Sequence, residues 1–134
     1  AVPGPQDAAF GAEGLRVFFG SRYEVTAASD RMGVRLEGRA IPSAVGYDII
    51  SDGIAAGSVQ VPASGKPILL LADRQTTGGY AKIATVITAD LPLLAQARPG
   101  DSLRFAEVSV RQAQRIARRA AARMKLLEYA CLQF

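Results

Sequence analysis

Seven short runs of strand-forming residues, each closed off by a turn signal, constrain this chain more than any other feature. They are RYEVTA (22–27), GVRLEG (33–38), YDIIS (47–51), SVQVP (58–62), PILLLA (67–72), YAKIATVITA (80–89) and SLRFAEVS (102–109). Tyr23 and Val25, then Val34 and Leu36, alternate with polar neighbours, which is the period of a half-buried strand. The turn signals SDG, AAGS, ASGKP, TTGG and RPGD separate nearly every pair. So many closely spaced strands predict a small barrel or sandwich, largely antiparallel.

Helical patterns flank and interrupt these runs. Residues 1–21 read as an incoming loop rich in Pro, Gly and Ala, followed by a short amphipathic turn or helix in AEGLRVFF. DLPLLAQA predicts one short helix with Asp90 as its N-cap, stopped by RPGD. From residue 110 to 134 the period changes. Val110, Ala113, Ala117, Ala120, Met124, Leu127 and Cys131 recur at spacings of three and four, the apolar seam of a long helix. With 134 residues the chain is expected to form one domain, its strands spanning 22–109.

Composition excludes several chemistries. There is no histidine, so a Ser-His-Asp or Cys-His hydrolase cannot be built from this chain, and the commonest zinc ligand is missing. The single cysteine, Cys131, permits no internal disulfide and is expected to be a small buried apolar residue of the last helix. The net charge of +4 belongs to one place: residues 110–134 carry six basic residues against Glu128, whereas the rest holds ten basic and eleven acidic. A charge run of this kind ordinarily faces water, and the helix offers few aromatic or amide groups for reading bases, so no nucleic-acid partner is expected. No apolar run reaches the roughly 20 residues that cross a bilayer. The chain reads as soluble and cytoplasmic, with no membrane partner.

Two familiar loops fail on inspection. SGKP has no glycine at the required distance before its Gly-Lys pair and has Pro67 where a phosphate loop needs Ser or Thr. GGYAKI lacks the third glycine and the following helix of a dinucleotide fingerprint. Acidic residues stand singly, without metal-ligand spacing. What stands out instead is LLADRQTTGGYAKIATV, residues 70–86, which crowds Asp73, Arg74, Gln75, Thr76 and Thr77 beside two glycines, Tyr80 and Lys82. A plain hairpin needs far fewer donors and acceptors.

Read in order, VPGPQDAAF, YEVTAASDRMGVRLEG and SDGIAAGSVQVPASGKPILLLADRQTTGGYAKIATVITADLPLLAQARPGDSLRF resemble the carboxyl-terminal part of the biotin-dependent carboxyltransferase family. That family includes allophanate hydrolase subunit 2, KipA, the C-type subunit of 5-oxoprolinase and the carboxyltransferase portion of urea carboxylase. The resemblance runs from about Val2 to Phe105. It implies a mainly β fold, a cyclophilin-like closed β-barrel with one short helix and a long C-terminal helix, forming the second half of a protein whose amino-terminal half is absent here.

The resemblance also implies where chemistry resides. Strands 67–72 and 80–89 are expected to form a hairpin at the barrel rim, with Gly78 and Gly79 at positive φ and open to close approach. Arg74 suits a carboxylate or ureido carbonyl, and Gln60 and Gln75 offer donor and acceptor to an amide-like substrate. Gln60 points away from Val59 and Val61, outward or into a cleft if those valines face the core. Tyr80 and Lys82 are the nearby groups that burial would tune for proton transfer. Asp73 and Thr76 are counted with Arg74 and Gln75 as substrate-binding; Asp73 and Arg74 equally suit pairing with each other or with Asp30 and Arg31, and Thr76 and Thr77 also suit the satisfaction of turn amides.

Three activities follow from the family. The first is ATP-dependent hydrolysis of 5-oxoproline to glutamate by a protein like the C-type subunit, working with A-type and B-type (KipI-like) subunits. The second is the carboxyltransferase step of a biotin-dependent urea carboxylase, and the third is KipA-like regulation through a KipI-like kinase inhibitor. A small amide or ureido substrate is implied by the first two. No cofactor is expected on this segment alone; ATP belongs to the full complex, biotin to the urea reading, and the isolated segment is expected to be inactive.

Overall fold

The computed structural model describes residues 1–132. Nine strands are present among them: β1 (Val2–Pro3), β2 (Tyr23–Val25), β3 (Gly33–Gly38), β4 (Asp48–Gly53), β5 (Ser58–Gln60), β6 (Ile68–Leu70), β7 (Thr77–Tyr80), β8 (Lys82–Thr85) and β9 (Ser102–Leu103). Helices α1 (Gly11–Gly20), α2 (Leu91–Ala95) and α3 (Val110–Leu132) join them, with 3-10 turns at Asp7–Ala9 and Thr88–Asp90. Seven strands build one antiparallel sheet in the order β1-β8-β5-β6-β3-β2-β9, and β4 with β7 forms a separate two-stranded ribbon. The fold is mainly β.

The large sheet curls into a half-barrel instead of closing. Ala1 N–H donates to Ala106 O at 2.7 Å, and Val108 N–H donates to Ala1 O at 3.0 Å, which brings the two ends together. Among the described residues no ladder joins β1 to β9. Both end strands are two residues long, and Pro3 and Pro5 have no N–H to give, so among the described residues no ladder closes the expected ring of strands.

Alternation places the core. Val25, Val34, Leu36, Val59, Leu69 and Ala84 turn to one face of the sheet, where α1 inserts Val17 and Phe18. Phe18 stacks on Phe105 with centroids 4.5 Å apart, and Tyr23 lies 5.9 Å from the same ring. The incoming stretch is thus more ordered than the sequence indicates: it supplies an edge strand and a ten-residue helix, because Phe10, Val17 and Phe18 give it an apolar face to bury.

Several expectations need correction. β6 and β8 do not pair as a hairpin; β5 lies between them, with Val59 opposite both Leu69 and Ala84. The run 80–89 is not one strand either, since the chain leaves the ribbon at Tyr80 and enters the large sheet at Lys82. Ala81 is the crossing point, its N–H donating to Tyr47 O and its carbonyl accepting from Val61. Gly78 and Gly79 are extended in β7 and are not among the positive-φ glycines. Asp90 sits at the start of α2 but makes no side-chain cap, because a 3-10 turn already leads into the helix. Over its described residues α3 meets the body chiefly around that turn and has no buried residue, so Cys131 is exposed. An alanine-rich seam has too little apolar area to hold a helix down along its length. Residues 133 and 134 of the expected last helix lie outside the described residues.

Candidate functional site

A row of side chains crosses the outer face of the sheet. Register sets Lys82 of β8 opposite Gln60 of β5, Gln60 opposite Ile68 of β6, and Ile68 opposite Arg35 of β3. Val34, Val59 and Leu69 take the next row and point the other way, into the core. Lys82 reaches the outer row through a shift of register between Val59 and Gln60, which leaves Ile83 as an extra residue on β8. Without that bulge, Lys82 would share the core face with Ala84; with it, Ile83 and Ala84 are buried and Lys82 is aimed outward.

The β4–β7 ribbon covers one end of the row. Lys82, only 3% exposed in its side chain, extends its Nζ to within 2.9 Å of Asp52 Oδ2 on β4. Gln6 Nε2 donates to the same oxygen at 3.3 Å, and Lys82 N–H donates to Gln6 Oε1 at 3.1 Å. Lys82, then Gly53 N–H and Gln6, hold the Asp52 carboxyl below its usual range. Gln60, likewise buried, donates from Nε2 to Tyr80 O at 3.3 Å. Gly78 lies so close above it that an added Cβ would stand 2.9 Å from Gln60 Nε2 and 2.8 Å from Ile54 Cδ1. The close approach expected of this glycine is made to the chain's own side chains.

Beyond the ribbon the row opens into a cleft of about 250 Å³ lined by Arg35, Gln60, Ile68, Gln75 and Tyr80, with Asp30 at its rim. Gln75 and Tyr80 bring it exposed polar groups. The remaining residues singled out in the sequence stand elsewhere. Arg74 donates from Nε to Ile54 O at 3.0 Å and from Nη1 to Leu71 O at 3.2 Å, so its guanidinium braces two loops. Asp73 pairs with Arg31 at 2.9 Å. Thr76 is exposed and its carbonyl accepts from Ile54 N–H. Gly79 has its nearest neighbour, Ile49 O, 3.5 Å from an added Cβ. The burial expected for both Tyr80 and Lys82 is found at Lys82; Tyr80 is 42% exposed.

Three residues of this arrangement were not singled out. Arg35 carried a readable signal, since it alternates with Val34 and Leu36 and must point outward. Asp52 was hidden in a run that reads as a turn, and Gln6 gave none. Among the described residues no group of three His, Cys, Asp or Glu is placed to hold a metal ion. No helix among them is long and apolar enough to cross a membrane.

The family described as carboxyltransferase domain, subdomain A and B, matches residues 1–107. This chain belongs to that family. It is 42% identical over 119 residues to the C-type subunit of 5-oxoprolinase from Haemophilus influenzae, covering 89% of this chain and 38% of the relative. It is 39% identical over 113 residues to the C-type subunit of 5-oxoprolinase from Escherichia coli, covering 84% and 36%. Among solved structures, urea carboxylase of Kluyveromyces lactis superposes with a TM-score of 0.79 at 26% identity, over 84% of this chain and 11% of that one. The chain therefore spans little more than a third of the 5-oxoprolinase relatives it matches. α3 lies beyond the family match.

Proposed function

We propose that this chain is the carboxyl-terminal part of a carboxyltransferase-family protein like the C-type subunit of 5-oxoprolinase, and that it provides a substrate cleft for ATP-dependent hydrolysis of 5-oxoproline. The other half of the protein and the A-type and B-type subunits supply the rest. The observation that carries this reading is that Gln60, Gln75 and Tyr80, three residues with amide or hydroxyl groups, line one small cleft. A carboxamide presents an acceptor and two donors, the complement of a lactam C=O and N–H. Hydrolysis adds water across the lactam C–N bond, and donors fixed beside the carbonyl oxygen stabilise the charge that develops there. ATP binding is assigned to the partner subunits, because a triphosphate calls for several cations and, among the described residues, Arg35 is the one basic residue lining this cleft. The Lys82 ammonium is paired with Asp52, and in this reading the pair holds the ribbon over Gln60.

Identity near 40% to two 5-oxoprolinase proteins favours this substrate. A second reading, carboxyl transfer to urea, is supported by the superposition on urea carboxylase. The same carboxamides suit the ureido group of biotin, which would supply the carboxyl group when bound. Assay of the full-length protein with its A-type and B-type partners separates the two. ATP-dependent release of glutamate from 5-oxoproline, reduced at least roughly tenfold by Gln75→Ala, is expected; carboxylation of urea without lactam cleavage would overturn the first reading.

A further inference from the structure

We infer that Arg35 is a carboxylate anchor at the open end of the cleft, so that the site selects a small ligand carrying both an amide and a carboxylate. This inference deepens the 5-oxoproline reading and rests on it. Register places Arg35 two strands from Gln60, with Ile68 between them. Adjacent strands lie about 4.8 Å apart, so roughly 10 Å separates the two backbones, and both side chains project from the same face over Ile68. That leaves an amide-reading end, an apolar floor and a cationic end within one cleft of about 250 Å³. A five-membered lactam acid offers matching parts: a lactam C=O and N–H, two ring methylenes, and a carboxylate on the ring carbon bonded to the amide nitrogen.

The charges around Arg35 support the assignment. The ion pairs among the described residues engage Arg16, Arg31, Lys66 and Lys82, and none involves Arg35. Asp30, the carboxylate on the same rim, has one oxygen committed to the chain, accepting Met32 N–H at 2.8 Å and Gly33 N–H at 3.1 Å. The Arg35 backbone is fixed on both sides, its N–H donating to Ser29 Oγ at 2.9 Å and its carbonyl accepting from Thr26 N–H at 2.9 Å. A planar guanidinium on a fixed strand can meet a carboxylate with two parallel N–H···O bonds, which a lysine cannot do.

The test uses the full-length protein assembled with its partner subunits, assayed on 5-oxoproline with 2-pyrrolidinone, the same lactam without its carboxylate, as competitive inhibitor. Arg35→Gln is expected to raise KM for 5-oxoproline about 10- to 100-fold, with kcat changed far less. Inhibition by 2-pyrrolidinone should be unchanged, and Arg35→Lys should recover part of the loss. An unaltered KM in Arg35→Gln, with wild-type turnover intact, overturns the anchor and leaves the function standing. Equal weakening of both lactams also overturns it, because the residue would then support the cleft as a whole. Absence of 5-oxoproline turnover in the wild-type complex removes the proposed function and this inference together.

Discussion

The ammonium group of Lys82 is removed from water almost completely, while Asp52, its partner, remains 53% exposed. The pair is asymmetric: losing Asp52 strands a buried cation, whereas losing Lys82 frees a carboxylate that water can solvate. Asp52→Asn should therefore lower the melting midpoint more than Lys82→Met does, and the double variant should recover part of the deficit. The effect has a defined pH sign. The Asp52 carboxyl is held below 3.8 in the folded chain, chiefly by Lys82, so its contribution is complete above that value and is lost as pH falls through the lower folded value. Thermal melts across pH should show wild type and Asp52→Asn well separated near neutrality and converging below pH 3.8. A gap that persists in acid would mean that the carboxylate is not what secures the ribbon.

Packing of the β4–β7 ribbon on the sheet depends on one missing side chain. An alanine at Gly78 would push its methyl between Ile54 and Gln60, whereas one at Gly79 meets nothing closer than Ile49 O. Gly78→Ala is expected to destabilise the protein by about 1–3 kcal/mol through overpacking, and to disturb turnover by displacing Gln60. Gly79→Ala is the control, with an extended φ that alanine accepts and a smaller change in the denaturation midpoint. These elements also show what the sequence made legible. Gly33–Gly38 was readable to the residue, because Val34 and Leu36 alternate with Arg35 and Glu37 between two glycines. Strand order was not, because insertion of β5 between β6 and β8 depends on contacts across the sheet that no local pattern records. The crossing at Ala81 was hidden for a related reason: YAKIATV is continuously strand-forming, and only the Tyr47 and Val61 backbones show where it changes sheets. Gln75 and Tyr80 stood out as polar groups that a turn does not need, and Gln60 as a strand residue directed away from Val59 and Val61; all three line the cleft, whereas Arg74 looked equally available and is consumed by carbonyls at Ile54 and Leu71.

At the scale of the molecule, charge and structure divide in the same place. The sheet body is close to neutral and lies within the family match, while α3 carries the basic excess and follows it. The cleft belongs wholly to the body, on the outer face of the curled sheet, and the proposed function has another part of the protein or a partner subunit close over it. Such closure would exclude water from the carboxamides and strengthen their hydrogen bonds to a bound lactam. A crystal structure of the full-length protein with its partner subunits and 5-oxoproline tests this most directly. The lactam is predicted to lie between Gln60, Gln75 and Tyr80 with its carboxylate toward Arg35; a ligand seated elsewhere, with that cleft filled by protein or left to solvent, would contradict the proposed function.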